Sequence, residues 1–294
     1  MIDPRALRTF HQVCQTGSIS AAARSLNISQ PSVSAAIAQL ETRLGGRLFE
    51  RTRTGIVLTA EGEALAARAR MLDHLLRDAE EDVAATRAGL SAPLRVGGTP
   101  GALVSLLPRA LALMEAQHPR IMLNVVERPD RDLLAMLRDG EIDLAFVTTG
   151  IEPPAPDMEE RTLARDPFAL IVGRANDSLP DRFSLREAAK LRWVLPEAQG
   201  AFRRQVDALF LAAGVAVPTD AVRCDSLLTT KAIVRSSTRV TILPMQVSAA
   251  ELSIGVLRAI ALEEASFERS IGARWLKGRS LSPLAAMLLS QLAA

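Results

Sequence analysis

The stretch FHQVCQTGSISAAARSLNISQPSVSAAIAQLETRLGGRLFER, residues 10–51, decides the fold of the first part of the chain. It predicts two short helices, a tight turn at Asn27-Ile28-Ser29 and a third helix. Ser18 and Ser29 stand where the second and third helices begin, and a serine hydroxyl there accepts from an unpaired backbone N–H. Pro31 falls in the first turn of the third helix, where a missing N–H costs nothing. Gly45-Gly46 then ends this helix.

The third helix is predicted to have an apolar face and a polar face. Its apolar side chains recur at helical spacing and are expected to face a core: Val33, Ile37, Leu40 and Leu44. The polar face starts with short side chains at the helix N-terminus: Gln30, Ser32 and Ser34. Such a helix end approaches a phosphate backbone readily and brings side chains to base edges in a major groove.

Two short β-prone runs follow this helix. They flank Thr54-Gly55 and predict a β-hairpin wing, with Arg47, Arg51 and Arg53 around its turn. Residues 1–60 hold seven arginines against three acidic residues, whereas the whole chain of 294 residues has a net charge of only +2. The positive excess is therefore local, and it falls where DNA is expected to bind.

Many residues of this segment match, in register, the N-terminal signature of one family. The matching positions are Ala21-Ala22-Ala23, Leu26, Ser29-Gln30-Pro31-Ser32-Val33-Ser34, Ile37, Leu40-Glu41, Leu44-Gly45, Leu48-Phe49, Arg51, Leu58-Thr59 and Gly62. The segment resembles the DNA-binding part of the LysR-type transcriptional regulators, and the remaining chain has the expected length and order of elements. The resemblance implies a sequence-specific DNA-binding regulator whose DNA binding is modulated by a small-molecule effector.

The resemblance also implies a fold class and a domain plan. Residues 1–59 are expected to form an all-α winged helix-turn-helix domain, and residues 60–92 a long dimerisation linker helix with a hinge. Residues 93–294 are expected to form an α/β effector-binding domain of two Rossmann-like subdomains, similar to type 2 periplasmic binding proteins. Subdomain I is placed at about 93–164 and 268–294, and subdomain II at about 165–267.

The expected DNA contacts are carried over residue by residue: Ser18, Arg24, Gln30, Pro31, Ser32, Ser34, Arg47, Arg51 and Arg53. Ala35 and Ala36 depart from the longer polar residues that many members carry, which shifts weight to the wing and to DNA shape. The expected partners are double-stranded operator DNA, the effector, and further copies of the chain, as a homodimer or a dimer-of-dimers tetramer. RNA polymerase is a further candidate partner.

A long amphipathic helix is predicted from Thr59, its N-cap, to about Gly89. Its apolar stripe is the expected dimerisation surface: Leu65, Leu72, Leu75, Leu76, Ala79 and Val83. A helix of this length has no evident core of its own, so the stripe predicts a partner helix, most simply the same helix of a second copy. The alternative is that the stripe packs on the sensor domain of its own chain.

From Leu94 short strands alternate with helices, which predicts mainly parallel sheets covered by helices. Two such sets are expected, joined by hinges near Ala164–Phe168 and Glu264–Glu268. Ligands of open α/β sheets bind beyond the carboxyl ends of strands, against helix N-termini. The loops at these ends give the expected effector-binding residues: Thr99, Pro100, Arg128, Thr148, Thr149, Pro196, Glu197, Phe202, Asp225 and Ser226. Each loop alone also fits an ordinary turn or helix cap.

Three arginines lie near these loops: Arg128, Arg203 and Arg204. Any of them could pair with a ligand carboxylate, which makes a small organic acid one candidate effector. The alternative is that each is a solvated surface arginine. Residues 236–239 replace the Gly-rich turn usual in the family before Ile242-Leu243-Pro244, so the effector class of better-known members does not transfer to this chain.

Composition argues against several other classes of protein. Hydrophobic residues make up 48% of the chain, which argues against disorder. Cys14 and Cys224 are too few for a disulfide framework; both are expected to be small buried residues in a reducing cytoplasm. The three histidines carry no metal spacing, and neither a metal nor a cofactor is expected. The chain enters a helix without a signal peptide and has no apolar run of transmembrane length, so no membrane partner is expected.

Two other function classes compete with the regulator. A solute-binding protein would share the sensor fold, but the absent signal peptide and the DNA-binding segment argue against it. An enzyme of the α/β domain would need a nucleophile–base set, a metal cluster or a phosphate loop, and the sequence shows none. The sequence therefore predicts a cytoplasmic regulator that is not an enzyme.

Overall fold

The structure, a computed structural model, describes residues 1–52, 55–87, 93–198, 200–264 and 268–293. It divides into two compact units. Unit 1 comprises residues 1–93 with 134–142, and unit 2 comprises residues 94–133 with 143–294.

Unit 1 begins with three helices and a hairpin, followed by a long helix. The elements are α1 (Pro4–Thr16), α2 (Ile19–Ser25), α3 (Gln30–Leu44), β1 (Phe49–Thr52), β2 (Gly55–Leu58) and α4 (Ala60–Arg87). The predicted caps are confirmed: Ser18 accepts from Ala21 N–H, and Ser29 accepts from Ser32 N–H. Gly45 ends α3 with φ +73°, a conformation that glycine adopts without steric cost.

The core of unit 1 lies between α1, α3 and the start of α4. Phe10 and Val33 are fully buried there, and the Phe10 ring lies 5.1 Å from the Phe49 ring of the wing. The expectation that Leu44 faces this core is wrong, because its side chain is 45% exposed. Leu44 belongs to the last turn of α3, which extends past the end of the small core.

The helix α4 packs on the core through its small residues. Ala66 and Ala69 are buried, and Leu65 and Leu72 of the predicted stripe are partly buried against the same core. Further along, Leu75 is 63% exposed and Val83 is 52% exposed. The described helix ends at Arg87, and the predicted end at Gly89 lies outside the described residues.

Unit 2 is a ten-stranded mixed sheet covered by helices. Its strands are β3 (Leu94–Gly98), β4 (Leu123–Glu127), β5 (Leu144–Thr148), β6 (Met158–Gly173), β7 (Arg182–Phe183), β8 (Arg192–Leu195), β9 (Ala221–Arg223), β10 (Arg239–Pro244), β11 (Leu257–Leu262) and β12 (Glu268–Leu276). Its helices include α5 (Pro100–Gln117), α7 (Leu185–Ala188), α8 (Ala201–Ala212), α9 (Leu227–Ser236), α10 (Ala249–Ser253) and α11 (Pro283–Ala293); α6 (Asp130–Asp139) precedes β5. Two 3₁₀ turns, Arg174–Asn176 and Met245–Ser248, complete the described elements.

The strand order β4-β3-β5-β12-β6-β10-β8-β9 produces two parallel cores joined by antiparallel strands. The first core packs around Phe146, and the second packs around Trp193. β6 pairs with β12 as far as Pro167, and from Phe168 it pairs with β10 and β11. We call the part of unit 2 around the first core subdomain I and the part around the second core subdomain II.

The sequence located the first crossover between the subdomains but not its form. A hinge was predicted near Ala164–Phe168, whereas β6 runs through these residues as one strand from Met158 to Gly173. The first half of β6 is rich in polar residues and therefore lacks the apolar pattern of a strand. It forms a strand because it pairs with β12, which lies far along the chain. The second predicted hinge falls largely on residues 265–267, which lie outside the described residues.

Gly62 lets α4 begin close to the wing. A Cβ at this position would run into the backbone carbonyl of Leu48 and would lie 2.9 Å from Leu58 Cδ2. Thr59 caps the same turn, since its hydroxyl oxygen accepts from Gly62 N–H at 3.0 Å and its O–H donates to Arg47 O at 2.6 Å.

Gly62→Ala is therefore expected to destabilise unit 1 by about 1–3 kcal/mol, the usual range for overpacking. The clash is with a backbone carbonyl that cannot rotate away, so it outweighs the roughly 1 kcal/mol that alanine gains in a helix. Hydrogen exchange in residues 47–66 should become faster. Gly46→Ala is the matched control, because its Cβ would meet only Glu61 Cγ at 3.9 Å. Both tryptophans lie in unit 2, so an equal loss in tryptophan-monitored unfolding would contradict the local origin of the effect.

Candidate nucleic-acid interface and ligand cleft

The first turn of α3 is the exposed end of a helix-turn-helix. Asn27 has φ +54°, which lets the chain reverse within the four residues between α2 and α3. Ser29, the N-cap of α3, accepts from Ser32 N–H at 3.2 Å, and the two serine hydroxyls lie 2.8 Å apart. Gln30, Pro31, Ser32 and Ser34 are all exposed, as predicted from the polar face.

The side chain of Gln30 is held by the preceding helix. Ser20 Oγ donates to Gln30 Oε1 at 3.2 Å, so α2 helps to orient the amide at the start of α3. A glutamine amide offers both a donor and an acceptor, the pair that matches an adenine edge in a major groove. The sequence did not reveal this contact, because Ser20 and Gln30 meet only when the two helices pack.

The predicted wing is confirmed as an antiparallel hairpin of β1 and β2, with Phe49 opposite Leu58. Glu41 Oε1 accepts from Leu48 N–H at 2.8 Å and so ties the end of α3 to the start of the wing. Arg24 and Arg47 are exposed on this unit. Arg51 lies in β1, and nothing is described of its side chain; Arg53 lies outside the described residues.

An open apolar cavity of about 350 Å³ lies between the end of α3 and the start of α4. Leu44, Leu48 and Leu65 contribute to its lining, together with Glu61 and Arg68 at its rim. Exposed apolar surface of this kind is a candidate for contact with another molecule. Leu44 therefore lines a concave surface instead of completing the core.

The two cysteines are half-buried thiols, whereas the sequence predicted buried ones. Burial raises the pKa of the Cys14 thiol to about 11, which keeps it protonated and unreactive at neutral pH. Cys224 Sγ donates to Ser226 O at 3.6 Å beside the start of α9. In the described part of the chain, no group of three or more metal-binding side chains is brought together.

The loops of subdomain I predicted to bind the effector lie at one edge of the sheet. β3, β4 and β5 are parallel, so the residues after Gly98, Glu127 and Thr148 leave the sheet side by side. Thr99 is the N-cap of α5, and its side chain makes no capping hydrogen bond. Its hydroxyl and the helix N-terminus therefore form the best candidate in this subdomain for contact with an anion or a polar group.

Other predicted residues of subdomain I are already engaged. Thr149 is buried and its hydroxyl lies 2.8 Å from that of Thr162, a contact that argues against its predicted role. Thr148 is half-buried at the end of β5. Arg128 is exposed and donates to the backbone oxygen of Glu127 at 2.8 Å.

Subdomain II uses its predicted residues mainly to build a loop. Asp225 Oδ1 accepts from the backbone N–H groups of Glu197 and Ala198 at 2.9 and 2.8 Å. Arg203 donates to Glu197 O at 2.8 Å and also pairs with Asp207. Asp225 and Arg203 thus shape the loop after β8, and these contacts argue against direct roles in effector binding.

Four further candidate residues of subdomain II differ in their exposure and in their contacts. Ser226 caps α9 through Thr229 N–H, and Phe202 is half-buried against the second core. Pro196 is half-buried at the end of β8. Arg204 Nη2 lies 3.3 Å from Glu152 Oε1, so this exposed ion pair joins α8 of subdomain II to the loop after β5.

A buried pair of charges that the sequence did not reveal lies between the two subdomains. Asp166 of β6 and Arg269 of β12 are 0% and 4% exposed. Burial raises the pKa of Asp166, opposed by the N–H of Gln246 and the charge of Arg269, and burial lowers the pKa of Arg269 to about 10. The available signal was a charged residue within or directly after each predicted hinge, two positions before an apolar residue.

Comparison with known proteins adds the family. A model described as the LysR substrate binding domain matches residues 87–294, and one described as a bacterial regulatory helix-turn-helix protein of the lysR family matches residues 4–63. The HTH-type transcriptional regulator GalR of Pseudomonas putida is 29% identical over 292 residues, covering 99% of this chain and 73% of that protein. BbuR of Bordetella bronchiseptica, also an HTH-type transcriptional regulator, is 31% identical over 211 residues, covering 71% and 64%.

Solved structures share the fold over nearly the whole chain. A full-length OxyR variant from Pseudomonas aeruginosa has a TM-score of 0.72 at 22% identity, covering 99% of this chain and 95% of that one. Full-length CbnR in complex with its target DNA has a TM-score of 0.69 at 22% identity, covering 99% and 98%. Within the described residues, no helix combines the length and apolarity needed to cross a bilayer.

The matched domains account for both units: an N-terminal helix-turn-helix that binds DNA and a C-terminal domain that responds to effectors. The chain therefore belongs to the LysR family of transcriptional regulators.

Proposed function

We propose that this regulator reads its operator with the first turn of α3 and positions itself through the arginines around the wing. The observation that carries the proposal is the exposed, serine-capped N-terminus of α3, with the Gln30 amide oriented by Ser20. Gln30, Pro31, Ser32 and Ser34 are assigned to base edges and nearby phosphates. Ser18, Arg24, Arg47, Arg51 and Arg53 are assigned to the DNA backbone, where positive charge adds affinity for every sequence.

We assign the domains as residues 1–59 for DNA binding, 60–92 for the linker helix and hinge, and 93–294 for effector binding. The stripe of α4 and the apolar cavity beside it support assembly through this part of the chain. Leu75 and Val83 leave large apolar side chains in water in a single chain, and a second copy of α4 would cover them. Packing of α4 on its own sensor domain remains the competing arrangement.

We assign the effector to the edge of unit 2 where the loops after β3, β5 and β8 meet. Thr99, Pro100, Thr148 and Pro196 are the proposed contacts. The uncapped N-terminus of α5 and the exposed guanidinium of Arg128 favour a polar or anionic molecule, such as a small organic acid. The other predicted residues are proposed to shape this edge without contacting the effector: Thr149, Phe202, Asp225, Glu197 and Ser226.

The remaining assignments follow from the role in transcription. Relatives of this chain are transcriptional regulators, and we propose that the chain itself is not an enzyme and acts in the cytoplasm, where its operator DNA is found. RNA polymerase is a candidate partner of a promoter-bound regulator. A role as a solute-binding protein would not explain the helix-turn-helix domain.

Gln30→Ala is expected to weaken binding to the operator by about 1–3 kcal/mol and to leave binding to unrelated DNA nearly unchanged, because a base contact is specific. Fluorescence anisotropy with a duplex selected from a random pool and with a scrambled duplex measures both affinities. Gln39→Ala is the matched control: Gln39 is exposed on α3, nine residues from Gln30 and thus half a turn around the helix. Equal losses on both duplexes would remove Gln30 from the base contacts.

Arg47→Ala, Arg51→Ala and Arg53→Ala are each expected to weaken binding to both duplexes alike. Each lost phosphate contact should reduce the slope of log affinity against log salt by about 0.9, since fewer counterions are released. A salt titration of the same anisotropy signal gives the slope. An unchanged slope in a variant would take that arginine off the DNA backbone.

Leu75→Glu with Val83→Glu is expected to convert the protein to monomers, because both side chains are exposed in the single chain and their loss does not disturb its own core. Operator binding should become weak, since one half-site alone holds a protein poorly. Sedimentation velocity reads the assembly. Leu228→Glu, which changes a leucine that is 76% exposed outside the stripe, is the control. An unchanged oligomer in the double variant would favour packing of α4 within its own chain.

Thr99→Val is expected to reduce effector affinity about 2–10-fold, the range for one lost hydrogen bond of about 0.5–1.5 kcal/mol. DNA affinity without effector should hardly change. Small carboxylates that alter operator binding of the wild type are titrated by calorimetry into both proteins. Thr219→Val, an exposed threonine before the amino end of β9, is the control. Equal affinities in wild type and Thr99→Val would place the effector elsewhere.

A further inference from the structure

Two buried charges lie where the sheet passes from one subdomain to the other. Asp166 and Arg269 are directly opposite each other in the register of β6 and β12. One residue further along β6, at Pro167, the pairing with β12 ends, and from Phe168 β6 pairs with the strands of subdomain II. The pair therefore occupies the junction about which the subdomains can change their angle.

The two charges are hydrogen-bonded to different subdomains, and the Ser105 hydroxyl of α5 also interacts with Asp166 and lowers its pKa. Arg269 Nη2 donates to Gly101 O at 3.0 Å, in the first turn of α5 in subdomain I. Asp166 Oδ1 accepts from Gln246 N–H at 3.0 Å, in the 3₁₀ turn Met245–Ser248 of subdomain II. Arg269 Nη2 lies 4.0 Å from Asp166 Oδ2. The two charges are therefore farther apart than in a hydrogen-bonded ion pair, and each donates to or accepts from a backbone group of a different element.

The same two strands carry a second buried pair that is closed. Arg274 of β12 lies opposite Glu160 of β6, and its Nη2 and Nε lie 2.6 and 3.1 Å from Glu160 Oε2. This pair lies wholly within subdomain I. Pairing of β6 with β12 is thus compatible with a tight ion pair, and the arginine side chain is long enough to make one. Arg269 differs from Arg274 because its guanidinium group donates to Gly101 O and not to the opposite carboxylate.

The stretched pair leaves buried polar atoms without partners. Within the described chain, Asp166 Oδ2, Arg269 Nε and Ser248 Oγ are buried and make no hydrogen bond. Buried charged atoms are normally paired, because their lost hydration must be replaced. A closed pair would satisfy Asp166 Oδ2 and Arg269 Nε together, at the expense of the contacts with Gly101 or Gln246.

We propose that Asp166 and Arg269 form a two-state latch that sets the angle between the two subdomains. In the arrangement seen here Arg269 is bonded to α5 of subdomain I and Asp166 to the 3₁₀ turn of subdomain II, and in the other arrangement the ion pair closes and one of these two bonds breaks. The two residues are positioning residues and do not contact the effector. The latch deepens the proposed function and rests on it in one respect: an effector acts through the latch only by binding the two arrangements unequally.

Gly101 offers a way to move the latch without removing a charge. A Cβ at this position would lie 2.6 Å from Arg269 Nη1 and 3.4 Å from Val247 Cγ2. Alanine at position 101 therefore pushes the guanidinium off α5, and the guanidinium is the far end of a flexible side chain that can turn towards Asp166. Gly101→Ala should populate the closed pair. Adding Asp166→Asn should cancel this effect, because the attraction that closes the pair is gone.

The test is a distance measurement between the subdomains in the full-length protein. Spin labels are placed at Lys190→Cys in subdomain II and Ala286→Cys in subdomain I, both exposed, with Cys14 and Cys224 changed to alanine. Labelled chains are diluted with unlabelled chains so that only distances within one chain remain. Pulsed electron spin resonance should show a shifted or second distance for Gly101→Ala, and the wild-type distance again for Gly101→Ala with Asp166→Asn.

Glu160→Gln is the matched control, because it breaks the closed pair on the same strands within one subdomain and should leave the distance unchanged. A wild-type distribution in folded Gly101→Ala, or the same shift in Glu160→Gln, would overturn the latch. Operator affinity of the same variants separates this inference from the proposed function. A shifted distance with unchanged operator affinity keeps the latch and refutes its coupling to DNA binding, whereas an unshifted distance refutes the latch whatever the affinity.

Discussion

The antiparallel pairing of β6 with β12 is the constraint on which the sensor depends. β6 belongs to both subdomains, and β12 pairs with its first half as far as the crossing point, so one continuous strand joins the two parallel cores. A hydrogen-bonded pair of strands resists stretching and shearing but still permits bending and twisting. The subdomains can therefore change their angle without losing their cores, and any charge placed at the crossing point acts on that angle.

A different constraint governs unit 1, where small residues and caps let four helices share a small core. Ala66 and Ala69 bring α4 against α1, and Gly62 lets its first turn pass the wing. The first turn of α3 stays outside this core because its N-cap, Ser29, already satisfies the backbone. The polar side chains of this first turn are therefore exposed to solvent.

The sequence predicted what depends on neighbours in the chain. Ser18, Ser29 and Thr59 act as caps because the helix N–H groups they satisfy lie within three residues, and the alternation of strands and helices gave the parallel cores. Periodicity alone could not show where a core ends, and Leu44 was placed inside for that reason. The first half of β6 was missed because its partner strand lies about a hundred residues away in the sequence.

The candidate sites divide in the same way. The exposed face of α3 follows from local pattern, and the loops of the cleft follow from topology. Which side chain of a loop is free is decided by contacts between distant segments. Asp225 accepts hydrogen bonds from the loop after β8, and the Thr149 hydroxyl contacts that of Thr162. In the same way, Arg269 of β12 donates to Gly101 O. No spacing rule contains such pairs, and the Asp166–Arg269 pair was hidden for the same reason.

The central claim is that the arrangement of the sensor subdomains and the affinity for DNA are coupled. Such coupling is reciprocal: if the subdomain angle changes DNA affinity, bound DNA must change the distribution of angles. The most direct measurement is therefore the distance between the labels at positions 190 and 286 in the wild-type background, with and without a saturating selected operator. The account predicts a redistribution of distances when operator binds and none with a scrambled duplex at the same concentration. The same distribution with and without saturating operator would contradict it.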